Sequence, residues 1–224
     1  MTHLHVPDGV LPWWAAAAAL LLAAVLVGAA LAGRQGPEGV RFLARVGVMG
    51  ATLLVTMSLP LGPGVHLSLA PLAGMMLGPA GGFLAAFLAN AALSVLGHGG
   101  LTALGINGLF LGAQAAGGAL LFALLRRPAG VRGAAVGATA TVLAGAATAG
   151  LLALRALPVE GPDAHGHGEH AAEWGVWVVV SLAAGVAAAE SWITASVVGF
   201  LARVRADLVH GGGAPRPRTS GEPA

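Results

Sequence analysis

The sequence predicts an all-α, polytopic transmembrane helical bundle of about seven helices, with the N-terminus outside and the C-terminus cytoplasmic. Three observations carry this expectation. Of 224 residues, 57% are hydrophobic and only 9% are charged, whereas a soluble domain is about a quarter charged because its surface must be solvated. The mean hydropathy is +0.83. The charges fall in short islands between apolar runs, several of which approach the roughly 20 residues that a spanning helix needs. A water-soluble reading would have to hide 36 glycines and long Ala/Leu/Val stretches in one small core.

The first span runs from about Leu11 to Gly33, with Pro12 at a favoured helix-start position after the turn-like Pro7-Asp8-Gly9. The second covers about Phe42 to Leu59 and stops at Pro60-Leu61-Gly62-Pro63-Gly64. A short third follows, His66 to Leu77, ended by Gly78-Pro79. Its dozen residues rise only about 18 Å as a helix against a hydrocarbon core of roughly 30 Å. It is therefore expected to be tilted, partly re-entrant, or continuous with the fourth span through a kink at Pro79. The fourth covers about Ala80 to Leu96, the fifth Leu101 to Leu125, the sixth Gly133 to Leu157 and the seventh Glu173 to Val204. Residues 1–208 are then expected to form one transmembrane domain, with 158–172 as a His-rich outer loop and 209–224 as a disordered cytoplasmic tail.

Arginine placement sets the orientation. There is no lysine, and with the N-terminus outside, Arg34, Arg41, Arg45, Arg126, Arg127, Arg132, Arg203 and Arg205 fall at cytoplasmic ends, joined by Arg216 and Arg218. Arg155 alone lies toward the outside, a strong positive-inside bias. The sequence pI near 11 thus reflects topology markers rather than a nucleic-acid patch. The same layout puts His3, His5, His66, His98, His165, His167 and His170 on or near the outer face, and only His210 inside. The arginines alone set that layout, so the one-sided histidines are an independent observation.

Cysteine is absent, which excludes disulfides and thiolate metal sites and leaves nitrogen and oxygen as donors. The start, Met1-Thr2-His3-Leu4-His5, lacks the positive region of a signal peptide, so no cleavable signal is expected. An amine, backbone amides and a nearby imidazole close small chelate rings around one ion. Planar nitrogen sets of this kind suit Ni(II), Cu(II) and low-spin Co(II). With Met1 retained, the amine, two amides and the His3 imidazole supply four nitrogens. With Met1 removed, His3 becomes second and three nitrogens leave a place for another imidazole. The competing reading makes His3 and His5 solvated terminal residues.

His66 follows a Gly/Pro-rich turn, and His98 sits in Gly97-His98-Gly99-Gly100. Each is either a ligand or a residue that caps or closes its loop. The tract His165-Gly166-His167-Gly168-Glu169-His170 reads either as weak ion scavenging or as a flexible linker, and its spacing is not that of a zinc protease. A carboxylate in an apolar span needs a reason, so Glu190 is expected to pair with a polar partner such as Gln114 or Asn107, or to stay neutral. A structural bridge is favoured over direct ion transfer. Asn90, Thr102, Asn107 and Gln114 are candidates for orienting ligands or for contacts between helices. Small residues such as Ala15–Ala19 and Ala183–Ala189 favour close helix packing, and also suit docking of a partner membrane subunit.

Five patches in order then bear on function: His5-Val6-Pro7-Asp8-Gly9-Val10-Leu11, Pro63-Gly64-Val65-His66-Leu67, Leu77-Gly78-Pro79, His98 through Asn107, and Glu190-Ser191-Trp192-Ile193-Thr194-Ala195. Together they resemble the substrate-binding M component (CbiM/NikM family) of cobalt/nickel energy-coupling-factor (ECF) ABC transporters, over Leu4 to about Leu208. The resemblance implies a seven-helix bundle whose metal site lies near the outer face. There the amine, the second-residue amide and the second-residue imidazole bind the ion, with a histidine from the loop before the third helix. His66 matches that last histidine. The start departs from the family pattern: three residues precede His5, which holds the matching place relative to Pro7. The expected metal residues are Met1, Thr2, His3, His5 and His66, with His98, Thr102, Asn107 and Glu190 supporting or gating.

The resemblance implies capture rather than chemistry, so the chain is not expected to be an enzyme. No tightly bound cofactor is expected, and the cargo is Co(II) or Ni(II). Expected partners are a transmembrane coupling (T) subunit, ATP-binding cassette ATPase subunits and a small N-type membrane subunit, in a cell (inner) membrane. No Gly-x-x-x-x-Gly-Lys-[Ser/Thr] phosphate loop occurs, so ATP hydrolysis belongs to partners. Amine and imidazole donors bind metal only after losing protons. Their reference pKa values of roughly 7.7–8.0 and 6.5 put the expected fall in affinity below about pH 6. The alternatives are a stand-alone divalent-metal permease or exporter, which would work without ATPases, and an S component for a vitamin. The latter would need an aromatic or apolar pocket, yet there is no Tyr and only 5% aromatics.

Overall fold

The computed structural model describes residues 5–6, 8–59, 66–129 and 168–209, and these are all helical or connecting. Five helices follow in order: α1 (Trp13–Leu31), α2 (Gly36–Ser58), α3 (Ala70–Val95), α4 (Leu104–Ala129) and α5 (Gly168–Val204), then a short 3₁₀ turn at Ala206–Leu208. Each contains a stretch long and apolar enough to cross a membrane. The expected sixth span, Gly133–Leu157, lies outside the described residues, as do Met1, Thr2, His3, His165, His167 and the tail from His210.

α1 shows why the chain needs lipid. Its mean hydropathy is the highest of the five, yet almost none of it is buried within the protein. Trp13 is 82% exposed, and Leu21, Leu22 and Val25 are also open. A surface of this kind is stable against hydrocarbon and costly against water. α2 instead puts Val46, Met49, Leu53 and Met57 inward at helical spacing.

The expected third and fourth spans form one element, α3, interrupted at Gly78-Pro79. Gly78 has φ 78° and ψ 174°, a conformation essentially reserved for glycine, and Pro79 cannot continue the preceding helical hydrogen bonds. The expected kink is a reversal. A straight helix of these 26 residues would be about 39 Å long, yet the ring of His66 before it lies 5.8 Å from that of His98 beyond it. The two arms also touch near the turn, where a methyl group added at Gly82 would sit 2.5 Å from Cα of Gly74.

α4 fills the groove between these arms. A side chain at Gly74 would fall on the Ala115 carbonyl, one at Gly112 on the Phe83 ring, and one at Gly118 within 2.9 Å of Pro71. Gly105 meets the backbone of α1 at Ala19 and Leu20. Helices in lipid gain nothing from excluding water from one another, so this close backbone approach supplies the packing that holds the bundle. The core cluster joins Val46, Leu53 and Met57 of α2 to Met75, Leu84 and Leu93 of α3, Leu111 of α4 and Val198 of α5, with Val209 beside them.

α5 has 37 residues and is about 56 Å long, well beyond the hydrocarbon thickness. It begins at Gly168, ahead of the expected Glu173, so part of the expected outer loop is helical and His170 lies in its first turn.

Candidate metal centre

One end of the bundle collects three histidine-bearing segments, each held by a polar tie to a distant part of the chain. Around the first segment, the Val6 amide donates to Asn107 Oδ1 at 2.8 Å, and Asn107 Nδ2 donates back to the Val6 carbonyl at 3.1 Å. Both residues are buried. A side-chain amide that pairs with both polar groups of one residue imitates a strand neighbour, so the segment is satisfied as it enters the bundle. Two residues on, the Asp8 carboxylate accepts the Thr102 amide at 2.7 Å and the Thr102 hydroxyl at 2.5 Å. These bonds to Thr102, hydroxyl first, hold the Asp8 pKa below the ordinary carboxylate value. A Cβ at Gly100 would lie 2.5 Å from the Asp8 amide and Oδ1, so glycine is what lets Asp8 approach this turn.

His5 rests on the same turn. A Cβ added at Gly99 would lie 3.3–3.4 Å from Cβ, Cγ and Nδ1 of His5. His98 is adjacent in sequence, and its ring meets that of His66 edge to face at 5.8 Å between centroids, with 76° between planes. His66 Nδ1 lies 3.4 Å from the Leu59 carbonyl. In a neutral ring that donates from Nδ1, the lone pair available to a metal sits on Nε2.

The third tie fixes the His66 segment from the far end of the chain. The Ser68 amide donates to Glu190 Oε1, and the Ser68 hydroxyl donates to Oε2 at 3.3 Å. The same hydroxyl oxygen accepts the Ala70 amide at 3.2 Å, at the start of α3. Glu190 and Ser68 are both fully buried. The expected polar partner of Glu190, such as Gln114 or Asn107, is in the structure Ser68, a residue the sequence did not single out. Asn107 pairs through both its amide atoms with Val6. The carboxylate thereby ties the middle of the last helix to the segment just ahead of α3.

Of the residues expected to bear on metal, the structure thus gathers His5, His66, His98, Thr102, Asn107 and Glu190 at one end. Met1, Thr2, His3, His165 and His167 lie outside the described residues. Among the described residues no three His, Asp or Glu side chains converge on one point. Three of the five expected metal residues, Met1, Thr2 and His3, lie upstream of the first described residue. Two residues escaped the sequence reading: Asp8, read only as part of a turn, and Ser68, which carries no signal beyond standing two positions after His66.

The architecture defines a class: a multi-pass helical membrane protein with a histidine-bearing N-terminal segment docked into one end of its bundle. The chain belongs to the CbiM family, since the model described as "Cobalt uptake substrate-specific transmembrane region" matches residues 5–208. It is thus a substrate-specific membrane component of metal uptake. Among solved structures, one titled "Crystal Structure of an transition metal transporter" shares the fold, with a TM-score of 0.71 and 20% identity over 90% of this chain and 93% of that one. No curated protein matches the chain.

Proposed function

We propose that this chain is the capture component of an ECF-type importer for divalent cobalt or nickel, loading the ion at the histidine end for ATP-driven uptake by partner subunits. The ion is held by nitrogen donors of the segment Met1, Thr2, His3 and His5 together with His66. His98 stands beside His5 and His66, and Thr102, Asn107 and Glu190 keep the donor-bearing segments in place. The proposed partners are a transmembrane coupling subunit, ATP-binding cassette ATPases and a small N-type membrane subunit.

The observation that carries this reading is the meeting of His5, His98 and His66 at one end of the bundle, in a chain of a cobalt-uptake family. Cysteine-free nitrogen donors favour the late first-row divalent metals. Proton loss from those donors makes capture pH-dependent.

Titration calorimetry of the purified chain with Ni(II) and Co(II) tests the proposal. His66→Ala is expected to weaken binding by more than the roughly 10- to 100-fold that loss of a supporting residue costs, and His98→Ala by no more than that range. Unchanged affinity in His66→Ala would remove the proposed site. Vesicle uptake that proceeds without any ATPase subunits would instead favour a stand-alone permease.

A further inference from the structure

The end of the bundle opposite the histidines carries a second built feature. Where α1 turns into α2, a cleft of about 290 Å³ is lined by Arg34, Glu38, Arg41, Phe42 and Arg45. Arg45 also borders a neighbouring groove of about 310 Å³ lined by Val48, Met49, Met76, Leu77 and Leu208. A cationic cleft therefore opens, across one shared arginine, into an apolar groove.

The charges in the cleft do not cancel. Three arginines line it with a single acidic residue, Glu38, which pairs with Arg41 at 3.3 Å. Arg34 is held flat, its guanidinium carbon 3.7 Å above the Phe42 ring and its Nε donating to the Ala30 carbonyl at 3.4 Å. Arg45 makes no hydrogen bond or ion pair among the described residues. The carboxylate that feels its charge, Asp207, is already gripped by Arg205 through two contacts of 2.9 Å. Arginines that only mark topology splay singly into water, whereas these three line one concavity. Guanidinium forks match phosphate oxygens, and basic pockets between spanning helices suit anionic lipid heads.

We propose that cleft and groove together seat one anionic phospholipid, with its phosphate on Arg34, Arg41 and Arg45 and an acyl chain along Val48, Met49, Met76 and Leu77. Met76 and Leu77 directly precede the Gly78-Pro79 reversal, so the lipid packs the turn on which both arms of α3 depend.

The test uses the full chain in nanodiscs of phosphatidylcholine, with and without phosphatidylglycerol, followed by native mass spectrometry of the lipid that stays bound. One phosphatidylglycerol is expected to be retained in preference to phosphatidylcholine. Each Arg→Gln change at 34, 41 or 45 is expected to weaken retention about fivefold, equivalent to the roughly 1 kcal/mol of a basic side chain near an anionic surface. Val48→Trp keeps every charge but fills the groove, and is expected to lose the lipid while the fold, followed by circular dichroism, is unchanged. Equal retention of the two lipids would overturn the proposal, as would phosphatidylglycerol held undiminished by the triple arginine variant. Displacement by inorganic phosphate alone would make this a soluble-anion site. If the arginine variants lost only their coupling and ATPase partners, with lipid retention intact, the face would be a protein dock.

Discussion

At the histidine end, the polar ties join residues far apart in sequence: Asp8 to Thr102, Asn107 to Val6 and Glu190 to Ser68, with separations of 94, 101 and 122. Two of the three are buried. At the arginine end, the ion pairs join near neighbours, Glu38 with Arg41 and Arg205 with Asp207, and both are exposed. A buried tie between distant segments fixes tertiary geometry, because leaving either partner unmade has a full desolvation cost. An exposed local pair fixes only a side-chain orientation and is screened by water and salt. The difference suits the two tasks. An ion must find its donors already in place, whereas a headgroup or partner subunit supplies its own complement.

Glu190→Ala should produce the largest effect of this contrast. It strips the acceptor from a buried Ser68 amide and from the Ser68 hydroxyl, which costs about 1–3 kcal/mol for a buried donor left unmade. A clear fall in the thermal unfolding midpoint in detergent is expected, accompanied by weaker Ni(II) binding. Glu190→Gln keeps a carbonyl toward Ser68 and should restore most of both. If alanine and glutamine behaved alike, the tie would not be what holds the His66 segment.

Acid should separate the docking of the first segment from metal capture. The Thr102 hydroxyl and amide lower the Asp8 pKa in the folded protein. A carboxylate depressed on folding stabilises at pH values above its unfolded pKa, near 3.9, and that contribution is lost as pH falls through the lower native value. Imidazole donors must lose a proton to hold a metal, and the expected fall in affinity lies below about pH 6. On acidification the ion should therefore leave first, with the segment still docked, and Asp8 should release Thr102 only below about pH 4. The Thr102 amide chemical shift reports the second step, which Asp8→Asn should abolish. A Thr102 transition that coincided with metal loss would join two events that the geometry keeps apart.

The sequence reading succeeded where the physics is local or collective. Helix positions follow from apolar length, which is why α1 and α4 lie within about four residues of their expected spans, while α2 ends as expected but starts at Gly36, ahead of the expected Phe42. The break at Gly78-Pro79 follows from the two residues least able to continue a helix. Its outcome, a full reversal, depended on whether α4 could fill the groove between the arms. That in turn rests on close contacts of Gly74, Gly82 and Gly112 that no short window contains. Glu190 drew notice because a carboxylate in an apolar span is costly, but its partner could not be read. Ser68 offers a backbone amide, a group every residue but proline shares, so only the fold selects it. Asp8 was hidden for a similar reason: Pro-Asp-Gly already explains itself as a turn, and nothing near it points to Thr102.

The smallest effect should come from the arginine end. Arg41 and Glu38 lie 3.3 Å apart, three residues apart on α2, with side chains 66% and 85% exposed. Pairs of this kind contribute about 0.3–0.5 kcal/mol within a helix and often nothing measurable. Glu38→Gln should leave the unfolding midpoint within error. It also removes the single negative charge from the Arg34–Arg41–Arg45 cleft, so retention of phosphatidylglycerol should rise while stability stays level. A substitution that is silent for folding yet tightens an anionic ligand would show that this end of the molecule is shaped by what it meets. If Glu38→Gln instead destabilised the protein as much as Glu190→Ala, the division between a preorganised end and a receptive end would collapse.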